Sequence, residues 1–205
     1  MTFKSIGLGI VLSAGLVFAL AAPAIAGQQS KENYCITHGG TVQTRIPEYG
    51  TNGGDPLVLS GSQEFCQFIS KKDQSQINVL LSTLTTKQPS LAALAYYAKS
   101  ELGGNCTGNP ASCYCSQLGG SDLFGGIDAA GGGWVLNTDP TDVLEACIFP
   151  DMSSIDSWGL AYHSADIVRG KNLAKVLRYP NPYEAAQKGK LKKTPFVPGH
   201  HTKPI

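Results

Sequence analysis

The chain has 205 residues, of which 42% are hydrophobic, 15% charged, 24 are glycine and six are cysteine. That length suits one ordinary domain or two small ones, and a mean hydropathy of −0.06 excludes both a multi-spanning membrane protein and a disordered chain. A formal net charge of +1 excludes a nucleic-acid binder that relies on overall positive charge.

In chain order, Met1 to Ala26 reads as a secretory signal peptide. Lys4 supplies the basic start, Ile6 to Leu20 the apolar run, Pro23 a break, and Ala24-Ile25-Ala26 a cleavage site. No cysteine follows that site, so a lipid anchor is not expected, and no later segment is apolar enough to span a membrane. All six cysteines (Cys35, Cys66, Cys106, Cys113, Cys115, Cys147) lie beyond it, in what would be an oxidising compartment.

A first cysteine-rich module is expected over 27–106. Thr41 to Ile46, Leu57 to Ser60 and Glu64 to Ile69 carry the β-branched and alternating residues of strands. An insert over about 74–90 places Ile77, Leu80, Leu81 and Leu84 at helical spacing, which predicts an extra helix over Gln74 to Leu84. Ser90 then caps a helix with Leu91, Leu94, Ala95, Ala98 and Leu102 on one face and Gly103 at its end. A second module is expected over 107–178, with strands Gly133 to Asn137 and Glu145 to Phe149. Its helix begins near Ser154, buries Ile155, Trp158, Tyr162 and Ala165, and ends before Gly170. The predicted fold class is α+β: two tandem disulfide-stapled modules, each a short antiparallel sheet with a packed helix, plus an extended C-terminal arm.

The two modules read as copies of each other. Tyr34-Cys35 precedes Gly39-Gly40 at the spacing by which Tyr114-Cys115 precedes Gly119-Gly120. Cys66-Gln67-Phe68 then matches Cys147-Ile148-Phe149, and Leu94-Ala95-Tyr96-Tyr97 matches Leu160-Ala161-Tyr162-His163. Equivalence pairs Cys35 with Cys66 and Cys115 with Cys147. The unmatched Cys106 and Cys113 flank a turn-rich Thr107-Gly108-Asn109-Pro110 and are expected to form a local staple. A metal or redox role for Cys113-Tyr114-Cys115 would need a second paired ligand set.

Asn109-Pro110-Ala111-Ser112-x-Tyr114-Cys115-x3-Gly119-Gly120, then Cys147-Ile148-Phe149-Pro150-Asp151, then Asp156-Ser157-Trp158-x-Leu160, resembles a small bacterial cysteine-rich domain of unknown function that is commonly labelled hemolysin. The likeness covers about 109–170; the glycine after Asp151 is absent, and Asn172 stands where the family's last cysteine falls. The resemblance implies two divergent copies of that domain and no mechanism. It also leaves open an intramodule partner for Cys106 in place of Cys113.

No catalytic constellation is expected, nor a cofactor or metal. A catalytic role for His163, near Asp156 and Asp166, would need an activated Ser or Cys, and neither a G-x-S-x-G elbow nor a free cysteine is evident; His200-His201 is an adjacent pair in the tail. Asp139, Asp142 and Glu145 lack calcium-loop spacing, and Gly125 to Gly131 lacks the lysine of a phosphate loop. Charge is more informative. Ser100 to Val168 holds nine acidic residues and no Lys or Arg, whereas Arg169 to Ile205 holds nine basic residues against Glu184 alone. The segment 179–205 therefore reads as a basic, Pro-rich partner-binding arm. Its anchors would be Tyr179, Pro180, Pro182, Tyr183, Lys188, Lys190, Lys192 and Lys193. The expected function is a non-enzymatic exported envelope protein, periplasmic or outer-membrane-associated. It would serve as a structural or accessory subunit of an assembly such as a secretion-system complex, with a protein partner and no nucleic acid. The alternative is a secreted effector or inhibitor acting on a host membrane or enzyme.

Overall fold

Helix α1 (Ala22–Thr37) leads through Gly39 and Gly40 into strand β1 (Thr41–Tyr49), the longest strand of the sheet. The structure, a computed structural model, describes residues 22–104, 106, 108–122 and 130–184. After β1 come β2 (Leu57–Val58), β3 (Gln63–Ile69), β4 (Gln76–Leu80), α2 (Leu81–Thr85) and α3 (Leu91–Ala98). Then follow α4 (Pro110–Gln117), β5 (Gly132–Leu136), β6 (Asp139–Leu144), β7 (Ala146–Ile148), β8 (Ser154–Asp156) and α5 (Ser157–Ser164). A 3-10 turn at Leu173–Lys175 precedes the last described stretch. The fold is α+β, built on one antiparallel sheet and three disulfides.

The sheet runs β6-β5-β1-β3-β4-β8-β7, with β2 added on the end of β1. Strands of the second expected module thus flank those of the first in one sheet: β5 pairs with β1 through Arg45↔Leu136 to Tyr49↔Gly132, and β4 meets β8 at Val79↔Ile155. Only Glu145 separates β6 from β7, so the two ends of the strand path lie close and the sheet curls around an inner face. Alternation along each strand sorts the side chains between two layers. Phe68, Ile77, Val79, Ile155, Cys66 and Cys147 join the helices in the main core, while Phe65, Leu80, Leu144 and Ala146 form a second cluster with Trp134 on the inner face.

The disulfides join Cys35 to Cys66, Cys115 to Cys147 and Cys106 to Cys113, and no cysteine is free. Cys35 and Cys115 lie near the ends of α1 and α4, each reaching the strand beneath it, β3 or β7. The helices stop in the same manner. Gly39 and Gly119 take left-handed conformations at φ 81° and 82°, and the amides of Gly40 and Gly120 donate 3.0 Å bonds to the carbonyls of Cys35 and Cys115. A Cβ on Gly40 would sit 2.4 Å from Cys66 Sγ, and one on Gly120 would sit 2.4 Å from Cys147 Sγ. Sulfur fills the space a side chain would take, which explains why glycine stands at both positions.

Several expectations are corrected. The helix expected over Gln74 to Leu84 is strand β4 followed by short helix α2. Its i, i+3, i+4, i+7 spacing arises by joining an alternating strand, with Ile77 and Val79 on the core face, to a separate turn bearing Leu81 and Leu84. The tandem modules do not close separate sheets, because the first and second halves pair along β1–β5 and β4–β8. Ser154 opens a strand, and helix α5 starts at Ser157 with Asp156 capping Gly159 N at 2.9 Å. The buried face of α5 is Ser157, Gly159, Leu160 and His163; Tyr162 and Ala165 are exposed. Helix α3 ends at Ala98, where Lys99 turns left-handed, so Leu102 lies outside it. Of the turn-rich stretch expected before α4, Thr107 lies outside the described residues; Asn109 caps α4, with Pro110 in the first turn. Strand β6 has no counterpart among the expected elements. Helix α1 crosses the expected cleavage point, so a cut after Ala26 would leave its last eleven residues, Gly27 to Thr37.

Candidate functional site

The residues expected to anchor a partner begin where the chain leaves the core. Arg178 N donates to Leu84 O at 3.0 Å, and the Arg178 guanidinium lies 5.3 Å from the Tyr34 ring centre. Tyr97 Oη then donates to the Tyr179 carbonyl at 2.6 Å, and the rings of Tyr179 and Tyr183 pack against the main core. The arm therefore does not leave the body at 179 as expected: half-buried rings and a strong hydroxyl-to-carbonyl bond hold 179–183 down. Pro180 and Pro182 are exposed. Lys188, Lys190, Lys192 and Lys193 lie outside the described residues.

The most concentrated polar chemistry sits on the inner face of the sheet. On β1, Arg45 is fully buried, a residue that sequence reasoning passed over. Its guanidinium donates to Gln43 Oε1 (2.6 Å), Trp134 O (2.9 Å), Asp142 O (3.2 Å) and Asp142 Oδ1 (3.0 Å). A buried arginine needs this kind of complete satisfaction; alternation puts Gln43, Arg45 and Pro47 on one face of β1, and only the curl of the sheet buries that face.

At the other end of β4, Gln76, Asn78, Asp142, Glu145, Asp156 and Trp158 line a cleft of about 150 Å³ that Arg169 also borders. Asn78 is 1% exposed, and Asp156 is buried at the start of α5. Burial raises the Asp156 carboxyl above the ordinary carboxylate range, opposed by the Gly159 N–H and the Arg169 charge. Asn109 Nδ2 donates to Glu145 Oε2 at 2.7 Å, which ties the cap of α4 to this cleft. Nearby, Ser112 Oγ donates to Asp122 Oδ2 at 2.9 Å, and burial pushes the Asp122 carboxyl up to about 6. Glu145 and Asp156 add like-charge repulsion there. This group therefore takes up a proton near pH 6. Among the described residues, no group of three or more His, Cys, Asp or Glu is placed to hold a metal ion.

The histidine weighed as a catalytic group is part of the packing. His163 is 6% exposed and stacks on Tyr96 with ring centres 3.8 Å apart and planes 6° from parallel. Burial, reinforced by the Lys99 charge, lowers its pKa to about 4, so the ring is neutral at pH 7. Two acidic groups are also committed to backbone shape. Asp151 Oδ1 accepts from Ser153 N and Oγ while its Oδ2 accepts from Leu91 N at the start of α3, and Asp139 Oδ1 accepts from Thr141 N and Oγ.

Among the described residues no helix is long and apolar enough to cross a membrane. Compared with known protein families, curated proteins and solved structures, the chain matches none.

Proposed function

We propose that this protein is an exported, disulfide-clamped interaction subunit of a cell envelope, periplasmic or outer-membrane-associated, that holds a protein partner rather than transforming a substrate. The observation that carries the reading is the pair of helix-to-strand clamps, Cys35–Cys66 and Cys115–Cys147, with the third bridge between them in sequence. Three disulfides in a chain of this size fit an oxidising compartment, and the leader-like segment Met1 to Ala26 supplies a route there. The matching clamps, each with a Tyr-Cys helix end, a Gly-Gly stop and a strand cysteine, also favour two divergent copies of one module. The buried His163 and the turn-forming Asp139 and Asp151 have structural duties, which favours binding over catalysis.

The partner would be engaged through the basic segment beyond Glu184, with Lys188, Lys190, Lys192 and Lys193 as its charges. Because Tyr179 and Tyr183 pack on the core, the informative truncation removes 185–205 and leaves them in place. Affinity capture from envelope fractions, read by mass spectrometry, should recover the same partner reproducibly with the full chain. The truncated chain should lose it while keeping its thermal unfolding midpoint. Recovery of the partner by the truncated chain would remove the arm from the proposal, and lysis of erythrocytes by purified protein would favour the effector alternative.

A further inference from the structure

The inner face of the curled sheet holds a second opening, one rung along from the acidic cleft. On β4 the side chains of Gln76, Asn78 and Leu80 share that face, and on β8 so do Ser154 and Asp156. Gln76, Asn78 and Asp156 line the acidic cleft, whereas Leu80 and Ser154 line a cavity of about 190 Å³. Phe65, Trp134, Ile148 and Met152 complete its walls, with Gln63 and Ser82 at the edge. None of these eight residues carries a charge.

We infer that this cavity binds a small neutral aromatic molecule bearing one hydroxyl group, a simple phenol. Three observations converge on that class. The walls are apolar and partly aromatic, with the Phe65 and Trp134 rings 5.8 Å apart and tilted by 56°, an arrangement that favours a third ring over a flexible chain. Ser154 is 3% exposed, and its Oγ has no hydrogen-bond partner. A buried hydroxyl left unpaired is costly, and a ligand hydroxyl beside it would satisfy both groups. A water molecule could serve Ser154 but would leave the apolar walls facing water. The absence of any ionisable group among the lining residues selects against a charged ligand, which would find no counter-charge. Met152, 69% exposed and left-handed at φ 63° on the β7–β8 turn, places an adaptable thioether at the mouth.

The chain has two tryptophans, Trp134 in this cavity and Trp158 in the acidic cleft. The Trp158→Phe variant therefore reports the cavity alone by fluorescence, and calorimetry on the unaltered full chain gives an independent reading. The probes are p-cresol, toluene and p-hydroxybenzoate. p-Cresol should quench Trp134 saturably, toluene should bind roughly three- to tenfold more weakly for want of one hydrogen bond, and the charged p-hydroxybenzoate should not bind. In Ser154→Ala, p-cresol and toluene should bind alike, with toluene affinity retained as proof that the cavity is still formed. Ser82→Phe, at an exposed edge position, should weaken both ligands and so tests the cavity if Ser154→Ala does not fold. No saturable signal up to millimolar p-cresol in either reading would overturn the inference. So would equal binding of p-cresol and toluene by the unaltered chain, or a preference for p-cresol that survives Ser154→Ala. All readings use purified protein, so they stand or fall apart from the envelope partner.

Discussion

The two cysteine-clamped regions of this molecule are alike at their joints and unlike in what those joints enclose. In the first, α1 is bonded to β3, which forms a hairpin with β4, which runs directly into α2, and α2 packs back on α1. In the second, α4 is bonded to β7, which forms a hairpin with β8, which runs directly into α5, and α5 packs back on α4. Even the pairing beside the glycine stop agrees: Thr41 faces Gln67, and Ser121 faces Ile148. The hairpin turns also match, with left-handed Gln74 and Met152 each preceded by an aspartate that accepts from the serine after it. Between helix and strand cysteine the regions diverge, one enclosing the long β1 and its β2 extension, the other β5 and β6. The difference teaches that the clamp is a local device, set by Tyr-Cys-x3-Gly-Gly, whereas the enclosed strands answer to the sheet as a whole.

The largest expected effect on this comparison comes from removing each clamp. The Cys35–Cys66 and Cys115–Cys147 bridges span 31 and 32 residues, so replacing either pair by alanine should cost about 3 to 4 kcal/mol, nearly equally. The Cys106–Cys113 bridge spans 7 residues and should cost about 2.5 kcal/mol on the same chain-entropy argument. Urea unfolding of the three double variants measures this, and a second clamp far costlier than the first would break the equivalence.

Next in size are the glycine stops. Gly40→Ala and Gly120→Ala each push a methyl group against sulfur and should destabilise by about 2 to 3 kcal/mol. The cost should shrink when the adjacent disulfide is also replaced by alanines, because the obstructing sulfurs are then gone. A double-mutant cycle on unfolding midpoints would reveal this coupling, and simple additivity would show that the glycines serve the backbone alone.

The smallest effects depend on pH, and both arise in the second region. His163 titrates near 4 in the fold against 6.5 unfolded, so its neutral form is favoured, and the stability it lends is present above pH 6.5 and lost as pH falls toward 4. Asp122 titrates near 6 against 3.8, so its acid form is favoured, and its contribution is present below pH 3.8 and lost as pH rises through 6. Asp122→Asn should therefore raise stability at pH 7 with little change at pH 4, and His163→Phe should soften the loss between pH 6.5 and 4. Thermal unfolding at pH 4 and pH 7 checks both signs.

What was legible in the sequence follows the same division. The clamps could be read because Cys, Gly and Tyr at fixed spacing are local signals, and β1, β3, α3 and most of β5 carry propensities that agree with their final state. The joining of the halves into one sheet could not be read, since no residue of β1 announces β5 as its neighbour and such pairing depends on long-range packing. The residue matching that aligned Leu94–Tyr97 with Leu160–His163 set α3 beside α5, although by connectivity the helix that follows β4 as α5 follows β8 is α2. The inner-face site was hidden for a related reason. Arg45, Asn78, Ser154 and Asp156 are dispersed over three strands, and only the curl brings their shared face together.

The disulfides also set which joints of the molecule are covalent. Each bridge closes on itself within 35–66, 106–113 or 115–147, so none ties the first region covalently to the second. The regions are joined through space by the β1–β5 and β4–β8 seams and by side-chain contacts such as Arg45 with Asp142, Leu91 N with Asp151 and Tyr96 with His163. The oxidised chain therefore carries no covalent bar between its two halves, and their registry rests on non-covalent pairing alone. The clamps guard the integrity of each half and leave the joining of the halves to packing.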